Sequence, residues 1–155
     1  MAGKVNPIPD GYHAITPYLS IKGASDAIEF YKKAFGAKEV MRMAQPDGRI
    51  GHAELQIGDS KIMLADEHPE MDFRSPRALG GTPVMLHLYV DDVDTVVGRA
   101  VASGAKVLRP VQDQFYGDRS GSVADPYGHV WHVATHKEDL SMEEIGKRAA
   151  AQHKG

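Results

Sequence analysis

The sequence contains no cysteine, which removes disulfide scaffolds, thiolate metal sites and cysteine nucleophiles together. It also lacks an excess of basic charge. Its 18 Lys and Arg stand against 21 Asp and Glu, a net charge of −3 with a pI of about 6.2, and no basic run tracks a phosphate backbone. Nucleic acid is therefore not an expected partner. No apolar stretch approaches the roughly 20 residues of a membrane-spanning helix, and the opening MAGKVNPIPDGYH has no apolar signal core. The expectation is a cytoplasmic protein with no membrane partner, and a reducing compartment suits a chain without cysteine.

What is present is enough apolar residue to fold. With 42% hydrophobic and 25% charged residues in a chain of 155, one compact unit or two small modules are within reach.

The chain repeats itself. DAIEFYKKAFG from Asp26 to Gly36 continues into AK, and DTVVGRAVASG from Asp94 to Gly104 continues into AK as well. Ala27, Ile28, Tyr31, Ala34 and Phe35 form one helical stripe, and Val93, Val96, Val97, Ala100 and Val101 form the other. Ser25 and Asp92 are the expected N-caps, with Gly36 and Gly104 as the stops.

An alternating strand precedes each helix, AITPYLSI in the first copy and PVMLHLYV in the second. Three more follow in each: KEVMRM, IGHAELQI and KIMLAD, then KVLRPV, GSVAD and HVWHVATH, with a DPYG turn before the last. The reading is βαβββ, twice. Between the copies, HPEMDFRSPRALGGTP is rich in Pro and Gly, shows no period, and reads as a crossover loop. Ser141 and Glu144 make a capping box ahead of a final helix. The expected segments are a first module over residues 12–67, a linker over 68–83, a second module over 84–137 and a C-terminal helix over 138–155.

These modules, with FYKKAFGA in the first and YVDDVD, ASGA and DPYGH in the second, resemble the vicinal oxygen chelate superfamily. That group holds glyoxalase I, extradiol dioxygenases, fosfomycin-resistance enzymes and bleomycin-binding proteins. The resemblance spans roughly residues 12–137. ITPYL, FYKKAFGA, DQFYGDRSG and DPYGHVW are similar to its PhnB-like branch, often labelled demethylubiquinone-methyltransferase-like.

The resemblance implies an α+β fold in which two βαβββ modules form curled mixed sheets around a cavity. In metal-using members, four inward side chains hold a divalent cation. Counting from the shared landmarks, those positions are Thr16, Met63, Met85 and His132. A hydroxyl, two thioethers and one imidazole do not make a site for a hard cation, since thioether sulfur suits soft Cu(I). The expected cavity is metal-free, with no cofactor.

Alternation along the strands leaves a second arrangement open. His52 and Glu54 share a face of IGHAELQI opposite Ala53, Leu55 and Ile57, while His87 and His132 share faces with Met85 and Ala134. Either these four line a ligand cavity, or they form an offset site for Zn or Fe with Glu54 as ligand or general base. In the second case the chain is a metal-dependent lyase, isomerase or dioxygenase, with Glu54 the candidate catalytic residue.

The candidate ligand-binding residues are Tyr18, His52, Glu54, Met63, Met85, His87, Phe115, Tyr116, Arg119 and His132. Met63 and Met85 suit an adaptable apolar wall, whereas Met41 and Met43 read as core. Phe115, Tyr116, Asp118 and Arg119 fall on an irregular segment between strands, where binding groups collect. Asp118 and Arg119 there could equally form a structural ion pair. The expected partners are a small-molecule ligand and a second copy of the chain, because open curled sheets leave free edges. Residues 141–155 are the candidate dimer arm.

Overall fold

The computed structural model describes residues 3–153. The chain forms two compact units, over residues 1–81 and 82–155. In the first, β1 (Tyr18–Ile21), α1 (Ala24–Phe35), β2 (Lys38–Ala44), β3 (Ile50–Ile57) and β4 (Ser60–Asp66) build a sheet of order β1-β4-β3-β2. A 3-10 turn at Pro69–Met71 and a short helix α2 (Pro76–Leu79) follow.

The second unit repeats the plan with β5 (Met85–Tyr89), α3 (Val93–Ala102), β6 (Lys106–Asp113), β7 (Asp118–Ala124) and β8 (Val130–His136), in the order β5-β8-β7-β6. Helix α4 (Met142–Gln152) ends the described chain. In each sheet the first and last strands of the unit pair in parallel and the other neighbours pair antiparallel. The βαβββ repeat read from the sequence is the repeat observed. Among the described residues, no helix is long and apolar enough to cross a membrane.

Each sheet is apolar on the face that carries its helix. Ala27, Ile28, Tyr31 and Ala34 of α1 are completely buried, as are Ala53 and Leu55 of β3 and Leu64 of β4. In the second unit Val93, Val97 and Ala100 are buried with Val123, Trp131 and Val133. Val101, read as part of that stripe, is 43% exposed, while its neighbour Ala100 in the same turn is completely buried. Met43 also departs from its core reading. It lies on the outer strand β2, on the face away from α1, and is 59% exposed.

One side chain at the end of each unit's last strand ties the helix to the sheet. The Asp66 carboxylate at the end of β4 accepts hydrogen bonds from the backbone N–H groups of Gly23 (3.1 Å), Ala24 (2.9 Å) and Ile50 (2.6 Å). In the second unit, Thr135 Oγ1 accepts from Val93 N at 2.8 Å and donates to the Val90 carbonyl at 2.9 Å. Asp66 therefore does the work expected of Ser25. The N-cap position is Gly23, at φ 94°, with no side-chain cap of its own, because the left-handed turn aims the first helical N–H groups at β4. Asp92 caps α3 as expected, accepting from Thr95 N at 3.2 Å.

Two further expectations shift by local chemistry. The segment 68–83 is not a plain loop, because Pro76 opens α2 and Ser75 caps it by accepting from Ala78 N. Helix α3 has Ser103 as its C-cap, and Gly104 takes the positive φ of 116° one residue later. Strand β1 begins at Tyr18, after Pro17, so Thr16 precedes the sheet.

Asp66 is only 8% exposed, and removing its carboxylate leaves three backbone donors without their acceptor. Asp66→Ala is expected to lower unfolding stability by about 3–5 kcal/mol, and Thr135→Val by about 1–3 kcal/mol. Urea titration followed by Trp131 fluorescence checks both, and a loss below about 1 kcal/mol for Asp66→Ala would refute its central role.

Candidate functional site

The sheet face turned away from α1 carries the chemistry of the first unit. Because side chains alternate along each strand and cross-strand partners share a face, the register sets Tyr18, Met63, Glu54 and Met41 in one row. His52 lies one step along β3, and its ring connects two of them. Tyr18 Oη is 2.6 Å from His52 Nδ1, and His52 Nε2 is 2.7 Å from Glu54 Oε2. The His52 and Glu54 side chains are only 24% and 16% exposed. Burial pushes the Tyr18 hydroxyl above its ordinary pKa.

A flap from the inter-module segment stands against Tyr18 at one edge of this face. His68 and Phe73 pair through both backbone hydrogen bonds, at 2.9 and 3.1 Å, and the Phe73 ring meets Tyr18 edge-on at 5.6 Å. Between flap and sheet lies a cavity of about 390 Å³ lined by Tyr18, Gly51, Ala65, His68, Met71 and Phe73. Of these residues, Tyr18 was among the candidates named from the sequence. His68, Met71 and Phe73 were not, although an aromatic and a histidine in an otherwise aperiodic linker were the available signal.

In the second unit the equivalent row is His87, His132, Ser122 and Arg109. The His87 and His132 rings lie 4.8 Å apart, and His132 Nδ1 is 2.8 Å from Ser122 Oγ. Partial burial, with smaller contributions from His87 and Arg109, lowers the pKa of His132. Tyr89 packs on His87 and donates to Asp118 Oδ2 at 2.8 Å. The buried Asp118 also meets His136 Nδ1 at 2.8 Å, and His136 Nε2 meets Asp139 at 2.7 Å. Two carboxylates, Asp118 foremost, raise the pKa of His136.

The irregular loop expected at Phe115 to Arg119 is shorter than read, since β7 begins at Asp118. Asp118 and Arg119 do not pair. Successive strand residues point to opposite faces, so Asp118 turns to Tyr89 and His136, and Arg119 turns to Asp94 at 2.8 Å and Asp113 at 3.2 Å. Phe115 and Tyr116 sit edge to face in the turn, their rings 5.2 Å apart. The Phe115 carbonyl accepts from Arg148 of α4, which also holds Glu138 at 2.8 Å. Met85 is 53% exposed on β5, beside Val130.

Residues 13–133 match the family model described as the Glyoxalase/Bleomycin resistance protein/Dioxygenase superfamily. The chain belongs to this superfamily. It is 43% identical to the uncharacterized protein Mb0911c of Mycobacterium bovis over 92% of this chain and 95% of that protein. It is similar to TioX from Micromonospora sp. ML1, 28% identical with a TM-score of 0.64 over 80% of this chain and 98% of that one. The PhnB protein from Bacillus cereus shares the fold at 20% identity, with a TM-score of 0.63 over 79% of this chain and 99% of that one.

The superfamily includes metal-dependent members, and the residues here do not fit a metal of that kind. Thr16 lies outside β1, Met63 and Met85 offer only thioethers, and His132 alone carries a strong donor for a hard divalent cation. Among the described residues, no group of three or more His, Cys, Asp or Glu is placed to hold a metal ion. Of the four residues expected at an offset site, His52 meets Glu54 in the first unit and His87 lies against His132 in the second.

The two perturbed histidines should titrate on opposite sides of the ordinary imidazole value of about 6.5. His136, held charged by Asp118 and Asp139, contributes stability fully below that value and loses it as pH rises through its own higher pKa. His132, favoured neutral, contributes above the ordinary value and loses its contribution as pH falls through its lowered pKa. NMR titration of the imidazole signals should place His136 above and His132 below. Asp139→Asn should bring the His136 midpoint down, and no movement would refute the assignment.

Proposed function

We propose that the protein binds a small, largely apolar molecule without a metal, in the cavity between the β1–β4–β3 face and the 68–73 flap. The observation that carries this reading is the flap itself. It forms one side of an open cleft of about 390 Å³ whose walls are mainly apolar and aromatic and include Tyr18, a size and character suited to a small organic ligand. His52 and Glu54 hold that hydroxyl in place, and Met63 lies beside it on the same sheet face.

A metal-dependent lyase, isomerase or dioxygenase is the competing reading. One observation favours it: His132 is biased towards the neutral form that ligates metals and lies against His87. The donor count weighs on the other side. A thermal-shift screen of small aromatic and aliphatic compounds should yield ligands that stabilise the protein by mass action. Phe73→Ala should weaken the best of them by about tenfold or more. Elemental analysis of protein purified without chelator or added metal should find no stoichiometric metal, and a full equivalent of Zn or Fe would overturn the metal-free reading in favour of the second.

The same proposal includes a homodimer. Each sheet ends in an outer strand with large apolar residues exposed, Val40 and Met43 on β2, Val107 and Leu108 on β6, and such edges invite association. Sedimentation equilibrium at micromolar concentration should give twice 16.9 kDa, and a monomer throughout would refute it. Deleting residues 141–155 tests the arm, whose Arg148 is anchored to Glu138 and Phe115 of its own unit.

A further inference from the structure

We propose that the Tyr18–His52–Glu54 chain fixes the hydrogen-bond polarity of the flap-covered cavity, so that its ligand is a flat aromatic molecule bringing a hydroxyl or N–H donor to Tyr18. This deepens the binding reading above and rests on it.

The polarity follows from which atoms own protons. An ionised carboxylate only accepts, so the 2.7 Å contact between Glu54 Oε2 and His52 Nε2 places a proton on Nε2. A neutral imidazole then has its lone pair on Nδ1. The 2.6 Å contact from Tyr18 is consequently the phenol donating its single proton to Nδ1. What remains on the Tyr18 oxygen is acceptor capacity alone.

A ligand carbonyl or ether placed against that oxygen would set lone pair against lone pair, and both groups would give up the water they bond in the free state without gaining a partner. A ligand O–H or N–H completes the chain instead. Partial desolvation raises the Tyr18 pKa, so the phenol keeps its proton and its hydrogen-bonding form. The ring preference comes from the other walls. Phe73 stands edge-on to Tyr18, His68 tilts towards Phe73 at 6.4 Å, and flexible Met71 completes the side, surfaces that favour a flat π-system over a branched one.

Glu54 is thus a positioning residue, acting on the ligand through two intervening groups. Its isosteric amide can donate to Nε2 as well as accept. In Glu54→Gln the proton is free to move to Nδ1, Nδ1–H then donates to Tyr18, and the Tyr18 O–H turns towards the ligand.

The test is isothermal titration at about pH 8, above the ordinary histidine range, with a naphthol and its methyl ether as a matched donor and acceptor pair. The naphthol should bind about tenfold more tightly to the parent protein. Tyr18→Phe should erase the difference, and Glu54→Gln should shrink or reverse it, with folding of both variants verified by Trp131 fluorescence. Equal affinities in the parent protein, which needs no variant, would overturn the proposal. So would an unchanged preference in folded Glu54→Gln. Binding of neither compound would overturn the ligand class, while the compound screen separately decides whether the cavity binds anything.

Discussion

Everything in each unit is oriented by a strand-end side chain that holds the start of the helix. Asp66 gathers Gly23, Ala24 and Ile50 around one carboxylate, and Thr135 joins Val93 to Val90 through one hydroxyl. The helix N-terminus carries unsatisfied N–H groups, and in both units the last strand, far away in sequence, supplies an acceptor for the first of them, with Asp92 adding a local cap in the second. With that contact made, the helix can cover only one face of the sheet. The other face is left open for polar side chains.

The two units use that open face differently despite sharing a register. Tyr18, Met63 and Glu54 in one row correspond to His87, His132 and Ser122 in the other. In the first unit the polar groups connect into a directional chain ending at an aromatic cavity. In the second, two imidazoles lie 4.8 Å apart with their planes tilted at 58°, one of them biased neutral, while a separate chain runs from Tyr89 through Asp118 and His136 to Asp139. A duplicated scaffold has kept its packing face and diversified its open one.

Superfamily membership and chemistry part company at this level. The fold is that of a superfamily with metal-using members, but function resides in the side chains set on it, and thioethers stand here at two of the four positions that the resemblance implies for a cation. The separation is physically natural. Sheet order and helix capping depend on the buried face, so side chains on the open face can vary with both left intact.

The sequence by itself determined the repeat, the element order and the division of β3 into an apolar and a polar face, because periods of 2 and 3.6 residues are local and Ala53, Leu55 and Ile57 alternate with His52, Glu54 and Gln56. It also set His52 and Glu54 on one face of β3, since alternation along a strand assigns faces, and named Tyr18 among the candidate ligand-binding residues. Tertiary structure decided what pattern does not encode. It chose Asp66 over Ser25 as the cap of α1, sent Asp118 and Arg119 to different partners, and folded His68, Met71 and Phe73 over Tyr18. Each of these depends on which distant groups come within about 3–6 Å, and that distance is set by chain crossing between elements rather than by the spacing of residues along any one of them.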